Sequence, residues 1–284
     1  VMKKPKLACA DFSFPLLSHD EALEVIAMLG IKGVDIGIFS GRSHLQPTDI
    51  FPNIGASARR LSKKLSDRGL KFADIFLIPS QDVFKQAPNS PSAAVRRSYR
   101  ELFQRTLEFV VRCDAPHMTS LPGQHFESEP RSDSLKRSSE TLGWCVEQAK
   151  AAKVVFSVEA HMWSVAPTPK LAAQLVEMTP GLTLTLDYGH YTTQGMPDSK
   201  IEPLVKHAGH FHARAACKGL LQTTLQKNTI DYRRVVRVMK RHRYTGYIGL
   251  EYVRMPDDIV PDVDNISETV LLRDLITKAW LAKR

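Results

Sequence analysis

Four side chains that can bind a divalent cation stand at or near the ends of four apolar segments in the second half of the chain. They are Glu159, Asp187, His212 and Glu251, separated by 28, 25 and 39 residues. A carboxylate that ends a buried apolar strand is unfavourable unless it is paired, hydrogen-bonded or bound to a metal. Three carboxylates and one imidazole suit Mn²⁺, Mg²⁺ or Co²⁺ better than a structural Zn²⁺, which prefers thiolate and imidazole ligands. A catalytic Zn²⁺ is a further possibility.

The elements that must position these side chains alternate along the whole chain. Apolar, β-branched segments predict strands at 6–12, 33–38, 70–78, 115–120, 154–158, 182–186, 210–214 and 247–250, and helical periodicity predicts helices at 19–29, 55–68, 92–112, 133–152, 169–178, 200–207, 232–242 and 267–283. Eight βα units in 284 residues predict an α/β fold with one domain over 1–284, a single (β/α)8 TIM barrel. An open, doubly wound sheet is the alternative, but no GxGxxG follows the first strand. In a barrel the active site lies at the carboxyl ends of the strands, where the four side chains stand.

The segments that carry the four side chains read Val-Glu-Ala-His, Leu-Asp-Tyr-Gly-His, His-Phe-His and Gly-Leu-Glu-Tyr. With their spacing, they resemble the xylose isomerase-like TIM barrel superfamily, and within it the sugar phosphate isomerase/epimerase group. That group includes ketose 3-epimerases, inosose isomerases and dehydratases, and hydroxypyruvate isomerase. The resemblance implies that the four side chains bind one divalent cation, Mn²⁺ first among the candidates. It also implies that His190 contacts the substrate, and that Lys218 stands where ketose 3-epimerases carry a substrate-binding Arg.

The chemistry that the resemblance implies is proton transfer beside a carbonyl. A cation chelated by neighbouring sugar oxygens polarises the carbonyl and acidifies the adjacent C–H bond. Glu159 and Glu251 would bracket that carbon, one removing the proton and the other returning it. Return to the opposite face of the same carbon is epimerisation, and return to the neighbouring carbon is isomerisation.

Several further residues are candidates for substrate binding. Arg214 and Lys218 make the loop after the seventh strand basic, where the family often shows His-x-Lys-Asp. This departure favours an oxidised, carboxylated or glycosylated sugar over a free ketohexose. His161 either contacts the substrate or orients Glu159, and Trp163 either stacks on a sugar or closes the barrel rim.

The composition excludes several classes of protein and leaves one surface open to interpretation. The chain has 43% hydrophobic and 24% charged residues and no apolar run long enough to cross a membrane. The first residues predict no signal peptide, and four cysteines without metal-binding spacing predict free thiols in the cytoplasm. The net charge is +9, and seven basic residues lie within 227–243. They form either a solvated helix face or a surface for nucleic acid or another anion.

Alternative functions share this site or this fold. A lyase, such as a dehydratase or a deglycosidase of 3-oxo-glycosides, would lose a β-leaving group after the same proton removal. An apurinic endonuclease would suit the positive charge, but it needs three zinc ions, and residues 213–222 lack the expected Asp-x-His. A barrel that only binds sugar is a further alternative. The partner we expect is a small sugar or sugar derivative, and homo-oligomers are usual among the proteins that the chain resembles.

Overall fold

A closed parallel barrel of eight strands forms the centre of the protein. The computed structural model describes residues 4–255 and 257–282. The strands are β1 Leu7–Ala10, β2 Gly33–Phe39, β3 Lys71–Ile78, β4 His117–Ser120, β5 Val155–Val158, β6 Thr183–Asp187, β7 Ala208–Ala213 and β8 Ile248–Leu250. Each pairs with the next in parallel, and β1 pairs with β8 to close the barrel. The predicted TIM barrel is therefore confirmed, and the open sheet is excluded.

Helices connect the strands along the described residues. They are α1 His19–Met28, α2 Pro47–Ile50, α3 Ile54–Ser66, α4 Ala93–Arg112, α5 Arg131–Ala151, α6 Pro169–Met178, α7 Gly189–Thr193, α8 Asp198–Ile201, α9 Tyr232–Arg241 and α10 Asn265–Leu281. The predicted helix over 200–207 is the end of α8 followed by a 3₁₀ helix, Glu202–His207. The short helices α2 and α7 were not predicted. Residues 1–3, part of the segment for which no signal peptide is predicted, and the predicted helix end at Lys283 lie outside the described residues.

The helix starts follow from local side-chain chemistry. Ser18 accepts a hydrogen bond from the Glu21 backbone N–H, and the Glu21 side chain accepts one from the Ser18 N–H, which forms the predicted capping box. Ser92 and Thr168 cap α4 and α6 in the same way as single acceptors, and Pro169 then occupies a first-turn position that needs no N–H donor. Within the described residues, no helix is both long and apolar enough to span a bilayer.

Alternation along each strand separates two environments. Side chains such as Val34, Ile36 and Ile75 face outwards and join the helices in the main apolar core. Their neighbours Asp35 and Asp74 face the interior of the barrel and are fully buried. The cysteines are free, and three of the four are buried in agreement with the prediction of unpaired thiols.

Hydrogen bonds between strands satisfy the polar interior of the barrel. His117 Nδ1 lies 2.6 Å from Asp74 Oδ1, and its Nε2 lies 2.7 Å from Ser157 Oγ. His210 Nε2 lies 3.0 Å from Asp35 Oδ2. Buried polar groups are tolerated when they are paired in this way. His117, at the amino end of its strand, is thus a structural residue below the site.

Gly249 in β8 is required by this packing, and its exchange is a first testable prediction. A Cβ atom there would lie 1.9 Å from Asp35 Oδ2 and 3.1 Å from His210 Nε2. We expect Gly249→Ala to lower the free energy of unfolding by about 3 kcal/mol. Overpacking alone costs ~1–3 kcal/mol, and the added methyl group would also push the buried Asp35 carboxylate away from its hydrogen-bond partner. Urea unfolding measures the change. The control is Gly143→Ala in α5, where the nearest atom is 4.0 Å away. Helix propensity predicts up to about 1 kcal/mol of stabilisation there. Equal effects of the two exchanges would contradict this account.

Candidate functional site

Three of the four predicted cation ligands converge at the carboxyl end of the barrel. Glu159 follows β5, His212 lies in β7, and Glu251 follows β8. His212 Nδ1 is 2.8 Å from Glu159 Oε1 and 3.1 Å from Glu251 Oε2. Each of the three residues offers one ligand atom, and these atoms all lie within 4.8 Å of one another. The strand-end placement that the sequence predicted therefore brings these side chains together.

The fourth predicted ligand, Asp187, is the last residue of β6 and lies on the same side of the barrel. Its Oδ1 accepts a hydrogen bond of 2.7 Å from the Gly189 N–H at the start of α7. Its Oδ2 is 2.9 Å from Arg214 Nη2 and 3.8 Å from His190 Nε2. Ligand atoms of Asp187, His190 and Glu159 also lie within 4.8 Å of one another. We call Glu159, Asp187, His212 and Glu251 the acidic cage.

The acidic cage fits a single small divalent cation. Its side chains supply carboxylate oxygens and one imidazole nitrogen, the mixture that suits Mn²⁺, Mg²⁺ or Co²⁺. All four side chains are buried. Asp187 Oδ2 is fully buried, and its close contact with Arg214 Nη2 is an ion pair without hydrogen-bond geometry. A buried carboxylate oxygen that lies among other carboxylates and lacks a hydrogen bond of good geometry is an arrangement that a cation would stabilise.

The charges inside the cage shift the pKa values of its members. Burial alone would raise the pKa of the Glu159 carboxyl, but His190 and His212 hold it well below its usual value. For Glu251, the guanidinium of Arg214 and the imidazole of His212 likewise outweigh burial and lower the pKa. Burial dominates at Asp187 and raises its pKa. Burial alone would lower the pKa of His212, but Glu251 and Glu159 raise it well above its usual value.

Three aromatic side chains form a rim beside the cage. Ring centroids of His161, Trp163 and His190 lie 5.9 to 6.1 Å apart in all three pairs. Trp163 is 47% exposed, whereas both histidines are buried. His161 Nδ1 accepts a 3.2 Å hydrogen bond from the Trp163 N–H. The structure therefore groups three of the predicted substrate contacts at one edge of the site.

His161 has a ring nitrogen available for a ligand. Burial, reinforced by His190, lowers the pKa of His161 to about 3, so the imidazole is neutral. Its Nε2 and the Nδ1 of His190 are both buried without a hydrogen-bond partner in the described part of the chain. Such atoms suit the hydroxyl groups of a sugar, which can either donate or accept.

The basic loop after β7 divides into groups with different surroundings. Arg214 points into the barrel and is 3% exposed. Lys218 is exposed, and its aliphatic chain lies near Gly195, 3.4 Å from the position of an added Cβ atom. Gln222 is buried and binds the Val253 backbone and the Pro261 carbonyl, so it holds the segment after β8 in place.

An apolar surface faces the acidic cage across the barrel mouth. Phe12, Phe39 and Phe76 pack together with ring centroids 4.6 to 6.5 Å apart. Phe76 also lies 5.8 Å from the His212 ring. Phe39 and Phe76 were not predicted from the sequence as site residues. The alternation of side chains along a strand could have indicated them. Phe39 lies four residues after the inward-facing Asp35, and Phe76 lies two residues after the inward-facing Asp74, so each faces the barrel interior as well.

Comparisons with known proteins match the fold. A family model for the xylose isomerase-like TIM barrel matches residues 23–274. A structure of L-ribulose 3-epimerase superimposes with a TM-score of 0.76 at 18% identity, covering 97% of this chain and 94% of that one. For a D-psicose 3-epimerase crystallised with D-fructose, the TM-score is 0.74 at 16% identity, covering 96% and 98%. For a family 2 AP endonuclease from Brucella melitensis, the TM-score is 0.74 at 16% identity, covering 95% and 98%. A sequence search of curated proteins found no match.

Proposed function

Because the chain belongs to the xylose isomerase-like TIM barrel family, we propose that it is a sugar isomerase or epimerase that depends on a divalent cation. The observation that carries the proposal is the convergence of Glu159, His212 and Glu251 atoms within 4.8 Å, with Asp187 beside them. The two 3-epimerase structures that share the fold act on ketoses, which agrees with this reaction class.

The acidic cage would hold the cation, for which Mn²⁺ is our first choice and Mg²⁺, Co²⁺ or Zn²⁺ are alternatives. When bound, the cation supplies Lewis acidity that polarises a sugar carbonyl. The His212 nitrogen that binds a cation has to be free of a proton, so protons and the cation compete for this imidazole.

Glu159 and Glu251 are proposed as the acid/base pair. They follow β5 and β8, and both approach His212 Nδ1. Carboxylates on separate strands can reach a substrate carbon from different directions. One removes the proton beside the carbonyl, and the other returns a proton to the opposite face or to the adjacent carbon. His161 and His190 would orient the hydroxyl groups, Trp163 would cover the sugar, and Arg214 and Lys218 would contact its polar or charged substituents.

The basic cluster of 227–243 does not favour the endonuclease alternative. It contributes to a surface groove of about 890 Å³ between α9 and α10, lined by Arg233, Arg237, Lys240, Arg241, Arg243 and Lys278. No member of the acidic cage lines this groove. A phosphodiester held there would not be in contact with the groups that we propose for catalysis.

Exchange of a substrate hydrogen with solvent deuterium tests the proposed reaction class. The substrates are a panel of ketoses, oxidised sugars and 3-oxo-glycosides. We expect the Mn²⁺-loaded protein in deuterated water to place solvent deuterium on the carbon beside the carbonyl of one panel member, with its isomer or epimer as product. Proton NMR measures both, and protein stripped with a chelator is the control. Eliminated products would favour the lyase alternative. Cation binding without exchange or product across the panel would favour a sugar-binding protein. Homo-oligomerisation and the cytoplasmic location remain predictions.

A further inference from the structure

A positively charged side chain of the protein itself lies inside the acidic cage. Arg214 follows His212 by two residues, and its guanidinium is buried between two strand ends. Its Nη2 is 2.9 Å from Asp187 Oδ2 and donates a hydrogen bond to Glu251 Oε2. The Tyr232 hydroxyl donates a hydrogen bond to the Arg214 carbonyl and fixes the backbone from which this side chain extends.

The guanidinium contacts the oxygens that a cation would use. Asp187 Oδ1 is already engaged by the Gly189 N–H, which leaves Oδ2 as the oxygen available to a ligand. Glu251 Oε2 is the oxygen that lies 3.1 Å from His212 Nδ1, the predicted nitrogen ligand. Arg214 therefore does not contact the carboxylate oxygens that face away from the cation position. It approaches each of them on its cation-facing oxygen.

We propose that Arg214 is an internal competitor of the divalent cation, so that the cation has to displace the guanidinium from Asp187 and Glu251 in order to bind. The inference rests on the proposed cation dependence, but not on the identity of the sugar or of the reaction. Arg214 thereby sets the affinity of the cage for its cation and stabilises the cage when the cation is absent.

Electrostatics supports the competition. Three buried carboxylates repel one another and need a nearby positive charge, and a guanidinium supplies a permanent one at low hydration cost. A divalent cation bound to the same two oxygens would stand within a few ångströms of that guanidinium, where the repulsion between positive charges is strong. If Arg214 stays in place, this repulsion weakens cation binding. If Arg214 is displaced, the repulsion is relieved, but the loss of its contacts with Asp187 and Glu251 weakens cation binding instead.

The two roles that Arg214 can play predict opposite effects of its removal. If Arg214 competes, Arg214→Gln binds the cation more tightly, and the cation-free protein becomes less stable because the carboxylates lose their counter-charge. If Arg214 instead orients the ligands for the cation, the same exchange weakens binding. The sign of the change in affinity therefore decides between them.

The experiment is a calorimetric titration of the full, chelator-stripped chain with MnCl₂. We expect Arg214→Gln to bind Mn²⁺ about tenfold more tightly than the wild type, and its cation-free form to melt at a lower temperature that Mn²⁺ restores. Arg214→Lys keeps the charge but has a single ammonium in place of the forked guanidinium. We therefore expect its Mn²⁺ affinity to lie between those of the wild type and Arg214→Gln. The matched control is Arg137→Gln, which removes a partly buried arginine paired with Glu129 outside the cage. It should leave Mn²⁺ affinity unchanged.

Each outcome has a separate meaning. Tighter binding by both Arg214 variants supports the competition. Unchanged or weaker binding by a folded Arg214→Gln protein overturns it while leaving the cation site intact. If Arg214→Gln does not fold, weaker binding by Arg214→Lys overturns the competition in the same way. Absence of Mn²⁺ binding in the wild type and in both variants overturns the competition together with the proposed cation dependence.

Discussion

An Asp187→Ala variant is expected to lose nearly all of the divalent cation that the wild-type protein retains, and with it all measurable turnover. Asp187 contributes a buried oxygen, Oδ2, whose contact with Arg214 in the described structure is an ion pair without hydrogen-bond geometry. Loss of an outer partner of a metal ligand already lowers affinity by ~10–100-fold, so loss of a ligand itself should cost at least about 100-fold. Elemental analysis of protein loaded with Mn²⁺ and then desalted measures the content directly.

A second aspartate serves as the control for this exchange. Asp274 in α10 pairs with Arg273 and is 62% exposed, so Asp274→Ala removes a carboxylate without touching the cage. We expect wild-type cation content and turnover in that variant. Equal cation content in Asp187→Ala and wild-type protein would remove Asp187 from the ligand set. The exchange also frees Arg214 from one of its two carboxylates, so the melting temperature of the stripped variant should be recorded alongside.

The strands and the acidic cage could be predicted because both depend on local patterns. Eight apolar segments with alternating helices leave few topologies other than a barrel, and a polar residue after an apolar run marks the carboxyl end of a strand. Glu159 and Glu251 were identifiable in this way, since each directly follows a strand. The predicted strand ends differ from the observed ones by a residue or two, as at β7, which ends at Ala213 rather than at Arg214.

The surroundings of Arg214 could not be predicted, because they depend on three strands that are distant in sequence. The chain shows a basic loop with Arg214 and Lys218, and nothing local distinguishes the two. In the structure, Arg214 lies on the inward face of the barrel wall two residues after His212, while Lys218 lies beyond the turn and is exposed. The direction of a long charged side chain follows from which carboxylates the closed barrel brings within reach.

The apolar half of the mouth shows a similar limit. Phe39 and Phe76 are two of many aromatic residues in apolar strands, and a single aspartate in each strand, Asp35 or Asp74, is a weak mark of the inward face of a strand buried on both sides. Their position became clear only with the register, which aligns Asp35 with Asp74 and Gly37 with Phe76 in neighbouring strands. The mouth therefore has a charged side formed by β5 to β8 and an apolar side formed by β1 to β3. A substrate with one polar and one apolar face would suit this division.

Replacement of either glutamate by glutamine is expected to lower turnover by ~10²–10⁴-fold, the range typical of a general acid or base. Glutamine keeps the shape of Glu159 or Glu251 and one oxygen that can contact the cation, but it cannot accept the substrate proton. Cation content has to be measured in the same samples, because a loss of the cation would also abolish activity. The control is Glu268→Gln, which alters a buried carboxylate that accepts a hydrogen bond from the Leu225 N–H, outside the cage.

Deuterium exchange separates the roles of the two glutamates. The variant that lacks the proton-removing carboxylate should show neither product nor deuterium in the recovered substrate. The variant that lacks the proton-returning carboxylate should still exchange the substrate proton, since removal and return at the first face remain intact, while product formation falls. For an epimerase the assignment reverses when the reaction is run from the product, because each glutamate then serves the opposite face. A Glu251→Gln protein that retains its cation and full turnover would contradict the two-glutamate mechanism and leave Glu159 to act with a different partner at the opposite face.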